Sequence, residues 1–413
     1  MRNLLEDNME AFVKAQEGHV PKAEEFAIRL WDVEAGREVR HFQDKNDTVV
    51  GLAFSPDGQT LASTRGVDIC LWDTPTGKLL RKLDFQARPD VSRMIMCLQF
   101  SPDGTKIAAG FGEHWNYKQN HVVTGPAIAV LDVSTGRLST SLETCNNPVN
   151  GLQYSADGRL LALACRDGSV RVFEIATGRI ANEFHGHSRK SLWEVGGQPG
   201  TACVAFAPNS RQVVSGGSDT TGLVWDLTRG RAGDGAVPLA IGPQQFESLW
   251  TDLAANDAAC GQRAVWSLVA APGAAVSYLS DHLLTNPALD PRFIGKLVTD
   301  LDSAQFPVRD RATATLEKIG EFAGPALRRA VTETTSAEMR RRAAQLLEKL
   351  SRGTLSRECL RFQRSLQALE QIGTPESVRL LQVLRSKIPA GGLRDELEAT
   401  LHRLHQRSGC KDH

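Results

Sequence analysis

No run of 18 apolar residues occurs in this 413-residue chain, which removes the usual signature of a membrane-crossing helix. Net charge is missing too. Lys plus Arg and Asp plus Glu each number 48, and the balance is close to even in both halves. Neither half therefore has the basic excess that a phosphate-tracking surface needs. Eight cysteines (Cys70, Cys97, Cys145, Cys165, Cys203, Cys260, Cys359 and Cys410) include no CxxC pair. Several fall on alternating positions of predicted strands, so they read as small buried hydrophobes in a reducing compartment. The opening residues, MRNLLEDNMEAFVKAQEGH, are too acidic and too broken for a secretory signal. Phosphate loops, dinucleotide fingerprints and zinc-protease helices are likewise absent. These absences point to a cytoplasmic protein without a cofactor. The 41% hydrophobic and 23% charged content is that of an ordinary soluble chain, long enough for two or three domains.

What is present is repetition. Five frames copy one another: IRLWDVEAGR (28–37), ICLWDTPTGK (69–78), IAVLDVSTGR (128–137), VRVFEIATGR (170–179) and GLVWDLTRGR (222–231). Each reads as an alternating strand followed by a turn closed at Gly36, Gly77, Gly136, Gly178 or Gly230. Upstream of four of them lies a second element, VVGLAFSPDG (49–58), IMCLQFSPDG (95–104), VNGLQYSADG (149–158) and TACVAFAPNS (201–210), ending in Asp-Gly or Asn-Ser turn chemistry. Short apolar runs follow at 60–64, 106–110, 160–165 and 212–217, and a further strand follows the glycine at 78–83, 137–142 and 179–184. One such meander cannot bury its apolar faces alone, so the units must stack.

The pattern resembles the WD40-repeat family over roughly residues 25–231. It rests on Trp31-Asp32, Trp72-Asp73 and Trp225-Asp226, with Leu131-Asp132 and Phe173-Glu174 as degenerate copies. The resemblance implies antiparallel four-stranded blades of a β-propeller. It also implies that His187, Ser215, Asp219 and Trp225 form the structural hydrogen-bond set of one blade. A His, Ser and Asp together invite a hydrolase reading. No GxSxG elbow accompanies them, and mutual satisfaction inside a blade is the better account.

The closing glycines are 41, 59, 42 and 52 residues apart, so the third and fifth units carry insertions. GEHWNYKQNHVVTG (112–125) falls between the second and third strands of its blade, and SRKSLWEVGGQPGT (188–201) leads into a first strand. Their aromatics, Trp115, Tyr117 and Trp193, are candidate partner-binding anchors, with packing of each loop on its own blade as the equal alternative. Four units carry the full strand complement. The first shows only its last two strands, after a polar acidic segment from Glu6 to Glu25. A truncated start, a small irregular ring, and an open arc covered by the second half or a partner all fit this; truncation is favoured, with 1–24 as the remnant of a blade.

After RAGDGAVPLAIGP (231–243) the hydrophobic period shifts from two to about 3.6. Helices are predicted over 245–255, 261–271, 274–284 and 292–301, then within 308–331, 338–353 and 359–384. Asp290-Pro291 and Thr374-Pro375 fit a cap followed by a first-turn proline, and Thr335 with Glu338 fits a capping box. A Leu-Glu-Lys/Gln-Ile/Leu signature recurs at 316–319, 347–350 and 369–372, which is similar to a HEAT-type helical-hairpin array. The order of halves resembles that of bacterial chains in which WD repeats precede such a tail. Arg328, Arg329, Arg340, Arg341 and Arg342 read as a solvated face paired with Glu333, Glu338 and Glu348. His402, His405, Cys410 and His413 have a loose metal-like spacing, but they sit on a helix end and a tail with no second cluster to complete a site.

The fold expectation is thus a multidomain β plus α chain: propeller blades over 25–230, a linker over 231–244, an all-α HEAT-like array over 245–408 and a tail over 409–413. The function expected is a non-enzymatic scaffold with no metal, binding other proteins and not nucleic acid. The alternative is the sensory or docking portion of a longer regulator or enzyme whose catalytic domain lies upstream.

Overall fold

The computed structural model describes residues 28–42, 49–66, 68–83, 94–112, 114–116, 121–123, 128–140, 142, 147–188, 200–228, 241–352 and 355–409. Among these, strands come first and helices follow.

Apart from one two-stranded hairpin, the described strands form five successive antiparallel sheets. The first pairs β1 (Ile28–Asp32) with β2 (Arg37–Phe42). The second runs β3 (Leu52–Phe54), β4 (Thr60–Arg65), β5 (Asp68–Asp73) and β6 (Leu79–Leu83) in sequence order. The third starts with β7 (Ile95–Phe100) and β8 (Lys106–Phe111). A separate hairpin of β9 (His114–Asn116) and β10 (His121–Val123) intervenes before β11 (Ile128–Asp132) and β12 (Leu138–Thr140) complete the sheet. The fourth is β13 (Val149–Tyr154), β14 (Leu160–Cys165), β15 (Ser169–Glu174) and β16 (Arg179–His185). The fifth is β17 (Thr201–Phe206), β18 (Gln212–Gly217) and β19 (Gly222–Asp226). It has three described strands, not the expected four; 229–240 lie outside the described residues.

The strand sequences explain their positions. LLALAC of β14 is buried at every residue, which is why it reads as a continuous apolar run and not as an alternation. Each WD-type strand carries a register shift before its Trp, Leu or Phe in sheets one to four, where it pairs with the following strand.

Contacts divide the chain into two units, Met1–Leu152 with Cys165–Asp167, and Gln153–Ala164 with Gly168–His413. In the first unit, Phe42 and Ile28 of sheet one pack on Leu61, Cys70 and Trp72 of sheet two. The opposite face of sheet two contributes Ala62 and Leu71 to a cluster with Ile95, Leu98 and Ile107 of sheet three. In the second unit, Ala162, Val170 and Val172 of sheet four meet Val213 and Leu227 of sheet five.

The second unit also holds helices α1 (Pro243–Asp252), α2 (Ala258–Ala270), α3 (Pro272–Leu284), α4 (Pro291–Asp300), α5 (Phe306–Ile319), α6 (Gly324–Glu333), α7 (Ala337–Arg352), α8 (Arg357–Ile372), α9 (Pro375–Lys387) and α10 (Gly392–Gly409). They share one apolar core that includes Leu253, Leu279, Leu301, Leu327, Leu369 and Leu381. Asp290 caps α4 by accepting from Arg292 N–H at 2.9 Å, and Thr374 caps α9 by accepting from Ser377 N–H at 3.3 Å. The cap of α7 differs from the sequence expectation. Ser336 Oγ, one residue after Thr335, accepts from Met339 N–H at 3.2 Å. The predicted stretch 359–384 is two helices, because Gly373 adopts a left-handed φ of 63° and ends α8.

Candidate functional site

His187, Ser215, Asp219 and Trp225 meet inside the fifth sheet. Ser215 Oγ on β18 accepts from Trp225 Nε1 on β19 at 2.7 Å and lies 2.8 Å from His187 Nε2. His187 Nδ1 lies 3.2 Å from Asp219 Oδ1 and 3.0 Å from Thr221 Oγ1. Asp219 Oδ2 also accepts from Ser188 N–H at 2.7 Å. Hydrogen bonds from the Thr221 hydroxyl, the Ser188 amide and His187 hold the Asp219 carboxyl well below its ordinary range. Ser215 is 1% exposed, and its oxygen is engaged from two sides. That geometry fastens strands together.

Half of the set recurs in sheet two, where Trp72 Nε1 donates to Ser63 Oγ at 2.9 Å. In sheets three and four the indole is replaced by Leu131 and Phe173. The β-strand positions matching Ser63 and Ser215 are Ala109 and Leu163, both fully buried. In sheets two to five indole and hydroxyl are thus present or absent together, so neither is left buried without a partner. The pairing of Ser63 with Trp72 depends on strand register, which the residue pattern does not display.

The acidic member of each frame caps its own turn. Asp73 accepts from Thr76 N–H at 2.8 Å, Asp132 from Thr135 N–H at 2.7 Å and Asp226 from Thr228 N–H at 2.9 Å. Asp32 accepts from Glu34 and Ala35 N–H, each at 3.0 Å. Trp31, beside it, is 52% exposed.

Glu174 departs from this rule, and the departure locates the junction of sheets and helices within the second unit. It keeps the turn bond, accepting from Thr177 Oγ1 at 2.8 Å. Its additional methylene carries the carboxylate to Arg364 of α8, whose Nε and Nη2 donate to Oε1 and Oε2 at 2.8 and 2.6 Å. Gln262 of α2 donates to Oε1 at 3.1 Å. The remaining Arg364 nitrogen donates to the carbonyls of Leu253 and Ala255 at 2.9 and 2.7 Å. Gly261 makes room: a Cβ there would sit 2.1 Å from the guanidinium carbon of Arg364.

A second junction lies beside it. Arg159, which follows the Asp157-Gly158 turn, donates to Glu370 Oε2 of α8 at 2.8 Å and to Glu396 Oε1 of α10 at 2.7 and 3.0 Å. It also reaches Asp157 at 3.2 Å and Thr400 Oγ1 at 2.9 Å. Glu370, 1% exposed, is bracketed from the other side by Arg403 at 2.8 and 2.9 Å. Burial works against charge on Arg159, but Glu396, Glu370 and Asp157 outweigh it and raise its pKa. Burial likewise disfavours the Asp157 carboxylate, yet Arg159 and the Ser155 hydroxyl hold it below the ordinary value. Arg211, at the matching turn position of sheet five, donates to the Gln371 carbonyl at 3.0 Å and lies over the Trp266 ring at 6.0 Å. The sequence signal for this junction was slight: arginine at 159 and 211 where sheets two and three have Gln59 and Thr105, and glutamate where the frame has aspartate.

Of the insertion aromatics, Trp115 lies in β9, its backbone paired with Val122 of β10 between the second and third strands of sheet three. Tyr117 and Trp193 lie outside the described residues. In the arginine cluster, Arg341 and Arg342 both pair with Glu338, at 3.0 and 2.6 Å. Arg340 donates to the Thr334 carbonyl at 2.6 Å. His405 Nδ1 lies 2.8 Å from the Leu401 carbonyl and His402 Nε2 lies 2.9 Å from Gln406 Nε2, while Cys410 and His413 fall outside the described residues. Among the described residues no three His, Cys, Asp or Glu side chains are grouped to hold a metal, and no helix is long and apolar enough to cross a membrane.

Comparison with known proteins agrees with the sheets. Residues 36–73 match the model for the WD domain, G-beta repeat, and residues 137–209 match that for the anaphase-promoting complex subunit 4 WD40 domain. The WD repeat-containing protein SL1-17 of Schistosoma mansoni is 27% identical over 154 residues, 37% of this chain and 45% of that protein. The serine-threonine kinase receptor-associated protein of Dictyostelium discoideum is 26% identical over 149 residues, 36% of this chain and 43% of that one. Autophagy-related protein 16 of Arabidopsis thaliana is 22% identical over 279 residues, 64% of this chain and 47% of that one. The chain spans less than half the length of these relatives. It carries WD40 repeats, and its antiparallel sheets are their blades, followed by a helical region.

Proposed function

We propose that this chain is a non-enzymatic cytoplasmic scaffold of bacterial type that binds other proteins through two kinds of surface, WD40 blades of a propeller and a HEAT-like helical array. The observation that supports this most is where the buried polar groups go. His187, Ser215, Asp219 and Trp225 are spent on one another, and Glu174, Arg159, Arg364 and Glu370 are spent on holding helices to sheet four. Such groups build a firm support, and firm supports with long loops suit docking. The inserted hairpin with Trp115 and Tyr117, and the 188–201 loop with Trp193, are the proposed anchors.

Affinity capture from the native host with the full chain, and with 113–126 replaced by a short Gly-Ser turn, tests the proposal. A set of proteins held by the full chain and lost with the hairpin is the expected result. Identical capture by both, together with turnover of a small molecule by the purified chain, would refute it.

A further inference from the structure

Frame position decides which neighbour a side chain meets. The residue before the frame's Trp, Leu or Phe points to the following sheet: Leu71 of sheet two packs on sheet three, and Val172 of sheet four packs on sheet five. Leu71 is 3% exposed, and Val130 and Val172 are fully buried. Their cross-strand partners Ala62, Ala108 and Ala162 are fully buried as well. The corresponding pair in sheet five is Val224 and Val214, and these are 63% and 43% exposed. The frame's aromatic points the other way, toward the preceding sheet. Trp72 meets Phe42 of sheet one with ring centroids 6.0 Å apart, and Trp225 meets Phe184 of sheet four at 5.2 Å. Trp72 is 4% exposed, whereas Trp31, the same position in sheet one, is 52% exposed.

Sheet five and sheet one therefore each expose side chains suited to an inner blade. End repeats of a stacked protein ordinarily turn a polar face outward. We infer that the open face of sheet five is a docking surface for a second copy of this chain, which presents its sheet one. The pairing continues the contact already made between adjacent sheets. Trp31 supplies an aromatic anchor with Arg29 and Glu38 beside it as a charged rim, the two lying 3.7 Å apart. Val214 and Val224 supply a flat apolar strip next to the Gly216–Gly222 pair, which adds no side chain to obstruct an indole. Because the two faces differ, the contact is heterologous and each copy keeps one face open for the next.

Sedimentation equilibrium of the full chain across a hundredfold range of concentration tests this, with Val224→Lys and Trp31→Glu made separately. Circular dichroism confirms that each variant folds; Val214→Lys and Trp31→Lys replace either one that does not. The wild type should rise above its 45.0 kDa chain mass as concentration increases, while each variant alone should form no species beyond that mass. An equimolar mixture of the two variants should form a complex of twice the chain mass, since each still owns the face the other lost. A wild type that stays monomeric, self-association that survives both changes, or a mixture that does not combine would each overturn the inference, the first by leaving the face to a segment of the same chain outside the described residues.

Discussion

Arg364 grips Glu174 through two parallel hydrogen bonds, 2.8 and 2.6 Å long, with both residues 2% exposed. Losing one member of such a pair strands the other charge out of water, at a cost of about 3–5 kcal/mol. Glu174→Gln should lower the denaturant midpoint accordingly. The double change Glu174→Leu with Arg364→Met should recover part of the loss and not all of it, because the carbonyls of Leu253 and Ala255 would still be without their donor. Chemical denaturation of the wild type and the two variants measures this.

Two helical glycines should respond to alanine with opposite signs. At Gly295 in α4 nothing lies within 4 Å of an added Cβ, and replacing a mid-helix glycine there should stabilise by up to about 1 kcal/mol. At Gly261 the added carbon would meet the Arg364 guanidinium at 2.1 Å. Moving that group breaks its bonds, so Gly261→Ala should destabilise by about 1–3 kcal/mol despite the better helix propensity. Thermal melts of both variants give the signs directly.

Much of this was legible from sequence and part was not. Alternation plus turn chemistry placed the strands, because strand period and turn residues are local properties. The helical core was legible for the same reason. The Arg159–Glu370 contact was not, since it joins residues 211 positions apart and depends on register in both elements. Phe173-Glu174 reads as a degenerate copy of the frame, which conceals a carboxylate with a task outside its own turn. The α7 cap shifted to Ser336 because Thr335 and Ser336 offer the same hydroxyl at adjacent positions, and only the tertiary bonds of the loop choose between them.

The fifth sheet contains a position where glycine is the better residue. Gly58, Gly104 and Gly158 close the first turns of sheets two to four with φ of 69°, 72° and 72°, and Ser210 occupies the same place at 56°. A side chain in this left-handed region costs about 1 kcal/mol or more. The Ser210 hydroxyl is buried without a hydrogen-bond partner. Ser210→Gly should therefore stabilise by roughly 1 kcal/mol, net of the extra freedom glycine gives the unfolded chain. An unchanged or lower melting temperature would contradict this.

Removing the Ser215 hydroxyl leaves the Trp225 indole N–H and His187 Nε2 buried and unmatched, so Ser215→Ala should cost about 1–3 kcal/mol. Ser63→Ala strands only the Trp72 indole and should cost less. The ordering of the two, read by urea titration, separates a bonded cluster from a simple loss of packing.

Acid should weaken the fold in a defined window. Asp157 and Asp219 have carboxyls lowered from an ordinary value of 3.8. The unfolded chain then binds protons first as pH falls, so stability rises with pH where unfolded carboxylates titrate. The stabilisation is complete above that value and is lost progressively as pH falls toward the folded-state values. Asp157→Asn should flatten part of the slope below about pH 5 while leaving neutral-pH denaturation curves with the same m value.

Hydrogen exchange through α8 is the most direct test of the central claim that buried ion pairs bind the helical region to sheet four, with the Arg211–Gln371 bond adding sheet five. With Arg159→Gln and Glu174→Gln combined, amides of 357–372 and of the turns at 155–159 and 207–211 should lose protection together, while α4 and α5 keep theirs. Loss in the helix with full protection retained in both turns would contradict it.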